Sequence, residues 1–224
     1  VFTITMAVSS ADSLFDNTSW SVSTKNLDDD VLQLSKTACT TTEAAINNTC
    51  SVSLSLSAWN DHFAEVSVVV ATGNEGEGTL SSTQFVFGAS DWETAQELVI
   101  TGADDNVDDG DIVYDVAVSA ALSYSADGTD ASKDIMSSSV SVTNVNDDTA
   151  GLVVVQSGNV TDEAGNMTAS FTVVLTSEPA TPVVITPKTS DASESSFDVQ
   201  SLTFDSVNWM VPQEVVVVHE ASSG

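Results

Sequence analysis

The chain has 224 residues, of which 33 are acidic and 4 are basic, for a formal net charge of -29. This charge excludes nucleic acid and anionic membrane surfaces as partners, because both are bound through clustered Lys and Arg, and it predicts surroundings rich in salt or bound cations. The hydrophobic content of 42% predicts a folded protein and not an acidic disordered segment, and no apolar run approaches the roughly 18 residues needed to span a bilayer.

Short runs rich in Val, Leu, Phe and Ser predict strands along the whole chain, and no stretch shows sustained helical periodicity. Residues 1–6 and 18–23 predict two strands. Seven more are predicted between Gly, Asp, Asn and Thr residues, at 31–35, 50–57, 63–72, 82–88, 95–101, 112–120 and 135–145. Seven strands in about 117 residues are typical of an immunoglobulin-sized sandwich. We therefore predict an all-β chain of tandem seven-stranded antiparallel immunoglobulin-like β-sandwiches.

Three segments recur in order along the chain and indicate an internal repeat. Residues 87–92 (FGASDW) return as 204–209 (FDSVNW), residues 26–30 (NLDDD) as 144–148 (NVNDD), and residues 42–43 (TE) as 162–163 (DE), at offsets of 117, 118 and 120 positions. The offsets predict the final two strands of one repeat at 1–30, a complete sandwich at 31–148, and the first five strands of a further repeat at 149–224. A neighbouring chain, or continuation of the same chain, would complete the third unit, because half a sandwich leaves a bare sheet edge.

The most acidic stretch is the loop at 102–111, between two predicted strands. Its five carboxylates repel one another unless a cation lies among them, and oxygen ligands of this kind suit a hard divalent ion such as calcium. The alternative is a charged turn that is only solvated. An EF-hand does not fit, because Asp109 stands where the turn glycine would be.

Cysteine and asparagine positions indicate the compartment. Cys39 and Cys50 are close enough in sequence to form a disulfide within one hairpin or loop. Zinc does not fit, because the two histidines, His62 and His219, are distant from the cysteines and from each other. Four sites match the N-glycosylation pattern: Asn17, Asn47, Asn159 and Asn166. Together these features predict a secreted, glycosylated, extracellular protein.

The Asp-Glu at 162–163, the repeated Phe-x4-Trp-x3-Gln pattern, the acidic loop and the closing NVNDD at 144–148 resemble Calx-β repeats, in particular the tandem versions of large secreted adhesion and matrix proteins. The resemblance implies a seven-stranded sandwich with a calcium site at one end, near the junction with the next repeat. The implied ligands in the complete repeat are Glu43, Asp104, Asp105, Asp108, Asp109, Asp111, Asp147 and Asp148. Those implied in the neighbouring repeats are Asp28, Asp29, Asp30, Glu163 and Asp191. A further acidic position implied in the complete repeat lies near Glu75.

These features predict an extracellular structural module that assembles into a filament, sheath or stalk and is stabilised by calcium. Its partners would be copies of itself joined head to tail by strand donation, or adjacent repeats of one long chain. The alternative is an adhesin that binds glycans or surfaces through exposed loops or Trp residues such as Trp92 and Trp209. We predict no enzyme, because the chain has no G-x-S-x-G or H-E-x-x-H motif and no Arg.

Overall fold

The computed structural model of the chain describes residues 2–9, 19–24, 32–59, 63–124, 135–162 and 167–219. The regular elements of this part are all strands, which confirms the predicted all-β fold class. Two come first, β1 (Phe2–Ala7) and β2 (Ser19–Thr24). Nine form a central sandwich: β3 (Leu32–Leu34), β4 (Ala38–Thr42), β5 (Thr49–Leu56), β6 (Phe63–Thr72), β7 (Gly78–Leu80), β8 (Gln84–Gly88), β9 (Gln96–Gly102), β10 (Ile112–Tyr124) and β11 (Ile135–Val145). Six follow: β12 (Leu152–Ser157), β13 (Ala169–Leu175), β14 (Val183–Ile185), β15 (Ser195–Phe197), β16 (Leu202–Phe204) and β17 (Gln213–His219). Within the described ranges, no helix is long and apolar enough to cross a membrane.

The central sandwich consists of two sheets that enclose one core. The first sheet has the order β4-β11-β10-β6-β8 and the second the order β3-β5-β9-β7. Side chains alternate between core and solvent, as a pleated strand requires. Val52 and Leu54 of β5 are fully buried from one sheet, and Val116 and Val118 of β10 are fully buried from the other. The hydrophobic alternation read from the sequence therefore locates this core correctly.

The predicted count of seven antiparallel strands for this sandwich is wrong. The structure has nine strands, and the two that were not predicted are β4 and β7. The sandwich is also not wholly antiparallel, because β4 pairs with β11 in parallel. β4 escaped prediction because its buried face holds only Cys39 and Thr41, neither of which gives a hydrophobic signal. β7 is only three residues long and begins with glycine, which is depleted in strands.

The strands after the central sandwich have the same arrangement as part of it. The sheet β12-β13-β17-β15 has the order of β3-β5-β9-β7, and the pair β14-β16 corresponds to β6-β8. Pairing registers also agree: Val66 is opposite Phe87, and Val183 is opposite Phe204. This region holds six strands in its described part where five were predicted. Its small core consists of Val173, Leu202, Phe204 and Val215.

The first two strands form an antiparallel hairpin that pairs with no other described strand. Ile4 and Met6 of β1 are 50% and 52% exposed, and Val22 of β2 is 52% exposed. An isolated two-stranded hairpin with one apolar face is at best marginally stable in water. The hairpin therefore presents an apolar face that nothing in the described chain covers.

Cys39 and Cys50 form a disulfide with 6.0 Å between their Cα atoms. Cys39 lies on β4 and Cys50 on β5, so the bond joins the two sheets of the central sandwich. Structural disulfides of this kind are typical of oxidising compartments. The bond also fixes the short loop at 43–48 that leads into the most acidic end of the sandwich.

Removing the disulfide is expected to lower the free energy of unfolding by about 2–3 kcal/mol, because the unfolded chain regains the freedom of a closed loop. Urea denaturation of the Cys39→Ala/Cys50→Ala variant measures the loss. The wild-type protein in reductant serves as the control and should match the variant. An unchanged denaturation midpoint in the variant would contradict the prediction.

Candidate metal site

Several acidic segments meet at one end of the central sandwich because of the directions of its strands. β4 and β11 run parallel, so Glu43 and residues 146–148, which follow them, leave the sheet at the same end. β10 is antiparallel to β11 and begins at this end. The acidic loop between β9 and β10 and the turn at 74–77 before β7 therefore lie here as well.

Glu43, Asp147 and Asp148 come together at this end. One carboxylate oxygen from each lies within 4.8 Å of those of the other two. The Glu43 side chain is only 2% exposed, and its backbone N–H donates to the carbonyl of Val145 at 3.0 Å. Glu43 Oε2 and Asp148 Oδ2 are buried and accept no hydrogen bond from the described residues. A buried carboxylate oxygen without a partner is costly. A positive group at this cluster would offset that cost.

Burial and neighbouring like charges raise the pKa of two carboxyl groups of the cluster. Burial, reinforced by the charge of Asp105, raises the pKa of Glu43 from 4.5 to about 7. Asp109 and Glu77 act in the same direction, whereas a hydrogen bond from the Asp147 backbone opposes them. Burial and then Asp147 raise the pKa of Asp148, with smaller contributions from loop aspartates. Both lysines of the described chain lie elsewhere: Lys36 donates to Cys50 Sγ, and Lys188 lines a groove in the C-terminal region.

The acidic loop is shaped by its own hydrogen bonds. The N–H of Gly102 donates to Asn48 O at 2.7 Å, and the N–H of Ala103 donates to Glu77 O at 3.0 Å. Asp105 Oδ1 accepts from the Val107 N–H at 2.7 Å, and Gly110 has a φ of 79°, which favours glycine. The loop therefore begins at a fixed position and curves back over the end of the sandwich.

Asp108 and Asp111 tie the loop to the segment that leaves β11. Asp108 Oδ1 accepts from Asn146 Nδ2 at 3.1 Å, and its Oδ2 accepts from the Ala150 N–H at 2.7 Å. Asp111 Oδ1 accepts from the Asn146 N–H at 3.2 Å. These two aspartates therefore brace the connection to the C-terminal region. Asp104, Asp105 and Asp109, together with Asp108, add negative charge around the cluster.

Asn144 connects the segments beneath the cluster. It is fully buried, and its Oδ1 accepts from Thr41 Oγ1 at 3.0 Å. Its Nδ2 donates to Glu77 Oε2 at 3.1 Å and to Ala103 O at 2.9 Å. The backbone of Gly102 lies so close that an added Cβ would be 2.5 Å from Asn144 Oδ1. One amide thus joins β4, the turn before β7 and the start of the acidic loop.

The predicted site residues divide into four groups. Glu43, Asp147 and Asp148 lie together, with the loop aspartates around them. Asp191 instead occupies a turn after β14, where Ser193 N–H and Oγ donate to its Oδ1 at 3.0 and 2.6 Å and hold its pKa below the usual range. The predicted glycosylation residues Asn47 and Asn159 are exposed. The remaining predictions lie outside the described residues: Asp28, Asp29, Asp30, Glu163, Asn17 and Asn166.

Glu77 was missed by the sequence interpretation, which placed this acidic position near Glu75. Glu75 is exposed, whereas Glu77 is 7% exposed and bonded to Asn144. The internal repeat could have identified Glu77, because Glu77 recurs as Glu194 at the same offset as the Phe and Trp pattern. Burial of one acid and exposure of its near neighbour could not be read from spacing alone.

The arrangement is suited to binding a hard divalent cation. Every side chain in the cluster is a carboxylate, and oxygen-only ligand sets favour calcium over the softer transition metals. The two buried oxygens without hydrogen-bond partners are where such an ion would supply the missing positive charge. The residues present therefore fit calcium.

Comparisons with known proteins give structural similarity without a family. No family model matches the sequence, and no curated protein matches it. The periplasmic chaperone SfaE is 10% identical with a TM-score of 0.38, over 85% of this chain and 88% of that one. The E. coli chaperone DraB is 14% identical with a TM-score of 0.38, over 86% and 87%. CBD12 from CALX1.2 is 14% identical with a TM-score of 0.34, over 84% and 75%. Scores this low say nothing about the function of the chain.

The calcium-free protein is expected to lose stability as pH rises from about 4.5 to about 7. The pKa of Glu43 is raised in the folded state, so folding retains a proton that the unfolded chain has released. The contribution is complete below 4.5 and is lost as pH passes through 7, at a cost of roughly 3 kcal/mol. Denaturation in chelator at a series of pH values measures the slope. Glu43→Gln should remove this part of the slope, and an identical slope in the variant would disprove its assignment to Glu43.

Asn144→Ala is expected to lower the free energy of unfolding by about 3 kcal/mol, because it leaves the buried Glu77 carboxylate and the Ala103 carbonyl without their donor. Thr143→Ala, at the next position on the same strand, is the matched control and should cost less than about 1 kcal/mol. Urea denaturation of the two variants makes the comparison. Equal losses would show that Asn144 has no special role.

Proposed function

We propose that this chain is a calcium-stabilised structural module of an extracellular assembly, with no enzymatic activity. The observation that carries the proposal is the buried Glu43 carboxylate, which meets Asp147 and Asp148 with no cationic side chain of the described residues beside it. Such a cluster raises the free energy of the folded state unless a cation binds. Because the ion would bind the folded chain and not the unfolded one, it would stabilise the fold directly.

The position of the cluster supports a role at a joint between modules. Asp108 accepts from the Ala150 N–H, and the carbonyl of Asn106 accepts from the Glu178 N–H at 2.6 Å. The acidic loop therefore contacts both the end of the central sandwich and the start of the C-terminal region. A cation that orders this loop would also stiffen the connection between the two.

Repeated local geometry supports a tandem array. Gln96 Nε2 donates to Val86 O at 2.7 Å, and Gln213 Nε2 donates to Thr203 O at 2.8 Å. The agreement in strand order between the two regions points the same way. Tandem modules of this type would assemble into a filament, sheath or stalk, with copies joined head to tail by strand donation.

The disulfide and the surface support an extracellular location. Structural disulfides such as Cys39–Cys50 are typical of oxidising environments. Asn47 and Asn159, the predicted glycosylation residues in the described chain, are both exposed and accessible to modification. Extracellular calcium would be available to the cluster in the same compartment.

The glycan-binding alternative draws no support from Trp92. Trp92 stacks on Trp59 with ring centroids 6.4 Å apart and an interplanar angle of 19°. Both are partly buried and pack against the core of the central sandwich. Packing therefore accounts for this pair, and a structural role remains the proposal.

Calcium is expected to raise the free energy of unfolding by about 2.7 kcal/mol when its free concentration is 100 times the dissociation constant. Calorimetric melting in calcium and in excess chelator measures the difference. Glu43→Gln should make the calcium-free protein more stable, because it removes a buried charge, and should also abolish most of the gain from calcium. A purely structural carboxylate would not give both effects.

Glu93→Gln is the matched control for this experiment. Glu93 is exposed and lies in the turn after β8. β8 is antiparallel to β6, so this turn is at the opposite end of the sandwich from the cluster. The control should keep the full response to calcium. If wild-type protein melts at the same temperature in calcium and in chelator, the calcium proposal fails.

A further inference from the structure

One strand of the C-terminal region has an open edge, whereas the corresponding strand of the central sandwich is paired on both sides. β6 pairs with β8 on one side and with β10 on the other. Its counterpart β14 pairs with β16 on one side and, within the described chain, with no strand on the other. The free edge of β14 offers backbone groups to an added strand.

An apolar groove of about 210 Å³ lies beside this edge. Ile185 and Phe171 line it and are only partly buried. Their counterparts by pairing register, Val68 and Val52, are fully buried in the central sandwich. The groove therefore consists of core positions that lack the covering strand.

The hairpin β1–β2 at the start of the chain carries the apolar side chains that the groove lacks. Ile4 is opposite Val22 in the hairpin, as Val116 is opposite Val140 between β10 and β11. Residues 1–6 align in sequence with 113–118, which places the half-exposed Ile4 and Met6 at the positions of the buried Val116 and Val118. The hairpin thus carries exposed apolar side chains at core positions.

We propose that the hairpin β1–β2 of a second copy of this chain adds to the free edge of β14 and closes the groove. Transferring the pairing of β10 with β6 sets the register: Val8 lies opposite Ile185, Met6 opposite Pro187 and Ile4 opposite Thr189. This rests on the proposed head-to-tail assembly and names the surfaces that form its joint.

Pro187 is compatible with this register. Its counterpart in the central sandwich is Val70, whose N–H points away from β10 and donates to Thr83 O at 2.9 Å. Bonds towards β10 come from alternate residues, such as the Gly73 N–H to Asp115 O at 2.8 Å. A proline at this position therefore removes no hydrogen bond to the added strand. Thr186 and Lys188 would bond to the incoming β1.

A second copy is the occupant because a complete sandwich separates the hairpin from the groove in the sequence. The hairpin pairs with no described strand of the C-terminal region. The contact joins two different surfaces, so it is heterologous and adds copies head to tail. Added strands of this kind gain affinity from main-chain bonds and specificity from pockets for alternate side chains.

Cysteine cross-linking tests the register in the full-length chain. Ile4→Cys with Thr189→Cys places two thiols at a pair without mutual backbone bonds, where side chains are closest. Mild oxidation in calcium is expected to give a ladder of disulfide-linked oligomers. The native cysteines do not interfere, because they are already bonded to each other. Thr5→Cys with Thr189→Cys is the matched control and should give no ladder, because Thr5 faces the other side of β1.

Charge substitutions separate this inference from the proposed assembly. Met6→Asp is expected to weaken association of copies by about tenfold or more, because it buries an unpaired charge, whereas Thr5→Asp is expected to leave association unchanged. Analytical ultracentrifugation measures both. If Met6→Asp leaves the oligomers intact, or if the cross-linked species is a monomer, the donated hairpin is disproved. Neither result contradicts head-to-tail assembly through other surfaces. Wild-type protein that stays monomeric at high concentration in calcium overturns both.

Discussion

The organisation of the central sandwich depends on one electrostatic constraint, which is a buried carboxylate surrounded by other carboxylates. The parallel pairing of β4 with β11 brings Glu43 beside Asp147 and Asp148. Burial of Glu43 opposes its ionisation, as its raised pKa shows. This electrostatic cost is confined to one end of the central sandwich, whereas the rest of the core is apolar. A cation bound at this end would turn the same cost into a gain in stability.

The acidic loop links this constraint to the neighbouring region. Some of its carboxylates surround the cluster, and others accept hydrogen bonds from the segment after β11. Negative charge therefore serves two purposes within a few residues. In a chain with a net charge of -29, the placement of carboxylates carries more information than their number, because the partners of each carboxylate decide what it does.

The sequence was sufficient for much of the fold, because alternating Val and Leu mark strands that bury one face. It was insufficient for β4, whose inward side chains are Cys39 and Thr41, and for the parallel pairing, which leaves no local pattern. The acidic loop indicated a cation site, and the resemblance to Calx-β repeats implied its position at one end of the sandwich. Carboxylate spacing could not distinguish Glu77 from Glu75, or separate the aspartates that brace the loop from those near Glu43, since hydrogen bonding decides these roles.

The parallel ladder between β4 and β11 has a mechanical consequence. β4 lies near the beginning of the central sandwich and β11 at its end, so tension along the chain pulls the two strands in opposite directions along their length. All of their hydrogen bonds are then loaded in shear and must fail together, whereas an antiparallel terminal pair can unzip one bond at a time. The disulfide between β4 and β5 prevents β4 from peeling away first. This strand arrangement is therefore suited to resist a pulling force applied along the chain.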